Sequence, residues 1–295
     1  MERAPHPALA SLVRSIWLNG AGTQPAPATS AREWMMPTGQ MHLVLRLAGP
    51  AIGVFDHPAD SDPRNMGHAV INGARASMYV KAVCADSASI GVRLRPGAAQ
   101  ALLGLPAYAL AGQHVGLDDV WGPAANLMRE QLLAMTSPQD TLRCFEMLLL
   151  QRLKDQSGVA SRSAHPAVLM SLGQLHAGAS VEEVARHSGY SQRQFSRLFL
   201  EAVGLAPRLY TRVRRFQKAL NLMQGPWAAR LSDVACDAGY SDQPHFNRDF
   251  RAFSGMTPEQ YRAARPVAVN HVPVAAPPTC RGDVHFVQDR PPGTA

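Results

Sequence analysis

The sequence predicts an α+β protein: a β-rich N-terminal domain followed by an all-α C-terminal domain of two helix–turn–helix units joined by a long helix. Three observations predict it. Short apolar or alternating runs bounded by turn residues mark strands in the first 135 residues. A detailed internal repeat occupies residues 181–261. Positive charge concentrates in that same second region. The chain has 295 residues, 46% of them hydrophobic, which fits two domains with real cores. The boundaries read from composition are 1–135 for the β-rich domain, 136–165 for an amphipathic helix and linker, 166–266 for the helical domain, and 267–295 for a tail expected to be disordered.

In the first domain, His42-Leu43-Val44-Leu45-Arg46-Leu47 is a short apolar run closed by Gly49-Pro50. Ser89 to Arg95 alternates apolar and polar residues before Pro96-Gly97, the pattern of a half-buried strand. A short helix is expected over Ala98 to Leu103. Leu142, Phe145, Leu149 and Leu153 then recur at helical spacing, with charged residues between them, and predict an amphipathic helix over 141–154. That helix either dimerises the protein or packs on the first domain. Residues 156–165 are small and polar and read as a linker.

The repeat is specific. Val184-Ala185 matches Val234-Ala235, and Gly189-Tyr190-Ser191 matches Gly239-Tyr240-Ser241, at an offset of 50. After one inserted residue, Phe195, Arg197, Phe199, Gly204, Pro207 and Tyr210 match Phe246, Arg248, Phe250, Gly255, Pro258 and Tyr261. Two copies of one supersecondary unit follow. In the first, Ser180 and Glu183 spell a capping box, Gly189 supplies the turn, and Ser191 caps a second helix with Gln194 at its third position. In the second, Gly239 turns the chain, Ser241 or Asp242 caps, and Pro244 falls in the first helical turn, where its missing N–H does no harm. Phe195 and Phe199, and Phe246, Phe250 and Phe253, form the buried sides. Between the copies, Pro207 opens a helix with Leu209, Val213, Phe216 and Leu220 at helical spacing, ended by Gln224-Gly225-Pro226.

Charge follows the repeat. Residues 160–266 carry 14 basic and 8 acidic side chains, and 13 of the 14 are arginine. Residues 1–159 are almost balanced. Arginine suits phosphate and guanine recognition through its planar fork, so a nucleic-acid partner competes with a merely solvated basic surface.

At A-x-x-x-G-Y-S (185–191), F-x-R-x-F (195–199) and G-x-x-P-x-x-Y (204–210), and again from Ala235 to Phe250 and Gly255 to Arg262, the sequence resembles the DNA-binding domain of AraC/XylS-type bacterial transcription regulators. One departure is Pro244, where the family more often has a small polar residue. Residues Gly91 to Ala98 resemble the N-terminal part of one regulator subgroup, which in the family senses a ligand or dimerises, often on a β-barrel scaffold, so the resemblance implies a barrel-like first domain. The resemblance implies base reading by Arg193, Ser196 and Arg197 in the first copy and by Gln243, Asn247 and Arg248 in the second. It places His245 near the DNA backbone or in support of the turn. Arg212, Arg215 and Lys218 are expected on phosphate. The alternative for Arg197 and Arg248 is a solvated helix arginine or a brace for a carboxylate. The partners implied are double-stranded DNA, a small-molecule effector, a second copy of the chain, and RNA polymerase.

Other chemistry finds little support. G-x-S-x-G and P-loop motifs are absent from the sequence, so an enzyme is not expected and no cofactor is called for. The four cysteines are scattered and fit reduced thiols, with Cys84 lacking neighbours that would activate it. His42, His57 and His68 lack ligand spacing for a metal. Trp17, Trp34 and Trp121 read as core or as pocket walls. Arg281-Gly282-Asp283 reads as a chance tripeptide in the tail. No run is long enough for a membrane helix and no secretory pattern opens the chain, so a cytoplasmic protein is expected. Two rivals remain from other classes: an enzyme fused to a DNA-binding domain, and a basic module for an acidic protein partner.

Overall fold

The computed structural model describes residues 1–20, 32–84, 86–160, 164–225 and 230–274, without the side chains of 157–160. Among the described residues, ten strands and three α-helices arise before residue 134. They are β1 (Glu2–Arg3), β2 (Val13–Asn19), β3 (Arg32–Met35), β4 (His42–Ala48), β5 (Gly53–Phe55), β6 (Arg64–Asn65), β7 (Ala69–Asn72), β8 (Tyr79–Ala82), β9 (Ala88–Leu94), α1 (Ala99–Leu103), β10 (His114–Gly116), α2 (Leu117–Trp121) and α3 (Pro123–Leu133). The expected strands at 42–47 and 89–95 and the short helix after them are present. Residues 117–133 are helical, so the segment 1–135 ends in helices rather than strands.

The strands form two sheets rather than one closed barrel. The larger has the order β1-β2-β9-β4-β7-β10, and every pairing in it is antiparallel. Alternation gives it two distinct faces. One carries Ile16, Val92, Leu43 and Ile71 in register across β2, β9, β4 and β7. These side chains are fully buried in a core shared with Met128, Leu132, Phe145 and Leu149. The last two lie on α4 (Pro138–Ala160). The amphipathic helix thus packs on the N-terminal core, and Arg3 pairs with its Glu146 at 2.5 Å. It also runs on through residue 160, over the first half of the expected linker. Helix formers such as Leu153, Lys154 and Gln156 continue its pattern, and no proline or glycine pair stops it.

The opposite face of the large sheet looks across a cavity toward the second sheet, of order β11-β3-β8-β5-β6. Gly91 allows the two elements there to approach. A Cβ at this position would lie 2.4 Å from the Trp17 ring and 2.6 Å from the Leu43 carbonyl oxygen.

The edge strand β11 (His271–Pro273) comes from the far end of the chain and pairs antiparallel with β3, His271 opposite Met35 and Pro273 opposite Glu33. This corrects the expectation of disorder for the first part of the tail. Val272 buries its side chain beside Trp34 and Phe253, and the edge of β3 satisfies the backbone. Residues 275–295, with Cys280 and Arg281-Gly282-Asp283, lie outside the described residues.

The C-terminal part contains α5 (Pro166–His176), α6 (Val181–His187), α7 (Gln192–Val203), α8 (Pro207–Met223), α9 (Leu231–Ala238), α10 (Gln243–Ser254) and α11 (Pro258–Ala264). Its two halves join different parts of the N-terminal region. Phe195, Phe199, Val203 and Tyr210 belong to the same core as Leu43 and Phe145. Phe216, Phe246, Phe250 and Phe253 instead pack with Trp34 and Val272 of the second sheet and with Met36 just after β3. Backbone bonds reinforce both unions: Gly97 N–H donates to the Ala202 carbonyl at 3.0 Å, and Met78 N–H to the Phe253 carbonyl at 3.0 Å.

Candidate nucleic-acid interface

Each half of the duplicated region is assembled by the residues its sequence marks. In the first unit the Ser180 hydroxyl accepts from the Glu183 amide at 3.1 Å, and the Glu183 carboxylate accepts from the Ser180 amide at 2.8 Å. This reciprocal cap starts α6. Val184 and Ala185 are buried against the partner helix. A second reciprocal cap, Ser191 with Gln194, starts α7. Phe195, Phe199 and Val203 then line its buried side, while Gln192, Arg193, Gln194 and Arg197 are exposed and Ser196 is half-buried.

The second unit repeats the plan with one change. Asp242, rather than Ser241, caps α10 by accepting from the His245 amide at 2.7 Å. Asp242 is therefore the inserted residue that moves the repeat offset from 50 to 51. Gln243 and Arg248 are exposed, and Asn247 is half-buried with its amide oxygen lacking a hydrogen-bond partner. By position Gln243 corresponds to Gln192, Pro244 to Arg193, Asn247 to Ser196 and Arg248 to Arg197. Arg193 thus has no cationic counterpart in the second copy.

Both helices present an exposed first turn of polar side chains, in which the cap takes up the third-position N–H. Such a turn suits a phosphate, because unsatisfied N–H groups and the helix dipole attract anions there. In helix–turn–helix docking the N-terminal residues of the second helix reach base edges. The C-terminal end of α10 lies against the N-terminal region through the Met78–Phe253 bond, and α7 does so through Gly97 and Ala202.

Three of the expected contact residues have partners within the chain. Arg212 on α8 donates to both Asp249 carboxylate oxygens, at 2.7 and 3.4 Å, and lies over the Phe253 ring. Asp249 is buried, its side chain only 6% exposed, so this pair holds α8 to α10. Arg212, expected on phosphate, is thus engaged within the chain by a buried carboxylate, for which an unpaired charge would be costly. Arg215 donates to the Gly239 carbonyl at 3.3 Å and lies 5.2 Å over the Tyr240 ring, bracing the turn of the second unit. His245 faces inward, with its ring nitrogens 3.1 Å from the Ser241 hydroxyl and 3.8 Å from Asp249, and its ring edge-on to Tyr240. Of its two expected roles, these contacts are those of turn support. Lys218 is exposed on α8 and, with Arg215, borders the cavity beneath the sheets.

Residues 176–264 match the family described as "Helix-turn-helix domain", and residues 1–116 match one described as "Domain of unknown function (DUF6597)". The HTH-type transcriptional activator AarP of Providencia stuartii is 31% identical over 90 residues, which cover 30% of this chain and 66% of that protein. Over residues 176–264 the chain belongs to the AraC/XylS-type helix–turn–helix domains. Among other AraC-type relatives, the HTH-type transcriptional regulator ArgR of Pseudomonas aeruginosa is 26% identical over 113 residues, 38% of this chain. The match spans only 34% of ArgR's length. A solved AraC-type DNA-binding domain protein from Chromobacterium violaceum is 27% identical and covers 35% of this chain and 94% of its own, with a TM-score of 0.31.

Sequence reading did not find the polar face of the cavity. His42 lies opposite Arg93 on β9 and opposite Asn72 on β7, and Asn72 lies opposite His114 on β10. Directly opposed residues share a face, so these four form one row, and all four line the cavity. His42 and Arg93 sit in strands that the sequence marked and Asn72 and His114 in strands that it did not, and the row exists only through the pairing register. Trp17 is a cavity wall, Trp34 packs with the second unit, and Trp121 is core.

Proposed function

We propose that the chain is a sequence-specific, DNA-binding transcription regulator in which α7 and α10 enter the major groove and the N-terminal region controls their engagement. The observation that carries this reading is the duplicated, capped helix with an exposed polar first turn. Arg193, Ser196 and Arg197, and Gln243, Asn247 and Arg248, would read bases: arginine on guanine, Asn or Gln on adenine. Lys218 would contribute long-range attraction to phosphate. Arg212 and Arg215 would act by holding α10 and its turn in place.

Control by a small-molecule effector fits the cavity of about 1310 Å³ that the two sheets share with α8. An effector would act only by binding two arrangements of the domains with different affinity. A second copy of the chain and RNA polymerase are further partners proposed with this role, as is a cytoplasmic location. No described helix is long and apolar enough to cross a membrane.

The test is a gel shift with genomic fragments selected by the purified protein, run across a salt series. A selected site should bind at least a thousandfold more tightly than random DNA, with affinity falling steeply as salt rises. Arg197→Ala and Arg248→Ala should each cost about 1–3 kcal/mol and relax choice at separate base positions. Equal affinity for all duplexes would defeat the reading.

A further inference from the structure

Arg75 follows β7 and is 9% exposed. Its Nη2 donates to the Gly112 carbonyl at 2.8 Å and lies 3.2 Å from His114 Nδ1, and the guanidinium sits 4.5 Å over the Tyr79 ring. Among the described residues no carboxylate lies within ion-pair distance of it, and its Nε has no hydrogen-bond partner. Buried charges are ordinarily paired, so this one lacks its counter-ion.

The neighbours are donors too. Burial, and then the charge of Arg75, holds His114 neutral, its pKa down at about 2. With Nδ1 accepting from Arg75, the proton sits on Nε2. That Nε2 is buried and without a partner. Burial pushes the Tyr79 phenol up, which keeps it protonated. Arg75, Tyr79 and His114 all line the cavity. One register step along the large sheet from the His42–Asn72–His114 row lies an apolar row, Trp17, Val44 and Val70, on the same face. Two residues of strand separate the rows by roughly 7 Å.

We infer that this cavity binds an organic monocarboxylate, its head on Arg75 and His114 and its apolar body along Val70, Val44 and Trp17. A buried guanidinium without a counter-ion, beside a buried N–H donor, matches a carboxylate, and the adjacent strip matches a partly apolar body. The inference rests on the effector reading above and names the ligand's chemistry.

Thermal melts of the full chain with phenylacetate or octanoate, against phenylacetamide, octanamide and phenyl phosphate at equal ionic strength, test it. A bound carboxylate at a hundredfold excess over Kd should raise Tm by roughly 5 °C, and the amides should not. Arg75→Met should abolish that rise and increase the Tm of the free protein, because it removes an unpaired buried charge; a purely structural arginine predicts a lower Tm instead. Should Arg75→Met fail to fold, His114→Phe removes the second donor and should weaken the carboxylate at least tenfold. No rise with either carboxylate, equal rises with the amides, tighter binding of phenyl phosphate, or an undiminished rise in the variants would overturn the assignment. The melts use no DNA, so a null result with selective DNA binding intact sinks the ligand alone. Loss of DNA selectivity with the carboxylate response intact sinks only the regulator reading.

Discussion

Arginines of one sequence region divide into two chemical populations. Arg193, Arg197 and Arg248 are exposed on the helices that the repeat marks. Arg212 faces a carboxylate that has left water, and Arg215 a carbonyl and an aromatic ring. The division predicts different losses. Arg212→Met would leave Asp249 buried with only His245 nearby, at 3.8 Å. It should destabilise the chain by about 1–3 kcal/mol, read as a lower midpoint in urea, with the salt dependence of DNA binding unchanged. A phosphate-binding arginine would instead reduce the salt slope by about one, and that result would count against the internal role.

At the scale of elements, the two helix–turn–helix units are set by short-range chemistry. Ser180 and Ser191 cap with the residue three positions on, and Asp242 does the same for α10. Gly239 ends α9 at φ +91°, in the left-handed region, and its carbonyl receives Arg215. Gly239→Ala should therefore cost about 1–2 kcal/mol from the backbone alone, and should move the start of α10 relative to α8. A loss of DNA affinity larger than the loss of stability, measured by anisotropy and by denaturant titration, would show that the turn positions the helix. Ser191→Ala tests the first unit in parallel and should lower stability by roughly 1 kcal/mol.

Over the whole molecule, the returning strand β11 ties the second unit to the second sheet. Gln217 of α8 donates from one amide nitrogen to the Pro37 carbonyl and to the Asn270 side chain, both at 2.8 Å. Glu33 on β3 accepts from His271 Nδ1 and from Lys81 Nζ, each at 3.0 Å. Burial raises the Glu33 pKa, but the His271 hydrogen bond and the Lys81 charge outweigh it and hold the carboxyl at about 2. Depressed in this way, Glu33 contributes fully above the ordinary carboxylate value of 4.5 and loses that contribution as pH falls toward 2. Hydrogen exchange of residues 267–274 should accordingly quicken between pH 5 and pH 3, after correction for intrinsic rates, on the order of tenfold. Glu33→Gln should show that faster exchange already at pH 6. A strand equally protected at both pH values would mean the suture is held by Val272 packing and backbone bonds alone.

The sequence by itself determined the duplicated helices, their caps and buried phenylalanines, and the excess of arginine on them. Those signals act within about a dozen residues, inside one helix and its turn. It also marked β4, β9, α1 and the apolar stripe of α4. Tertiary structure alone decided that Arg212 serves Asp249, 37 residues away. It decided too that a piece of the supposed tail completes the second sheet, and that His42, Asn72 and His114 meet in one row. These facts depend on which strand lies beside which and at what register. A shift of one residue would turn every side chain of a strand to the other face, and local sequence does not encode that choice.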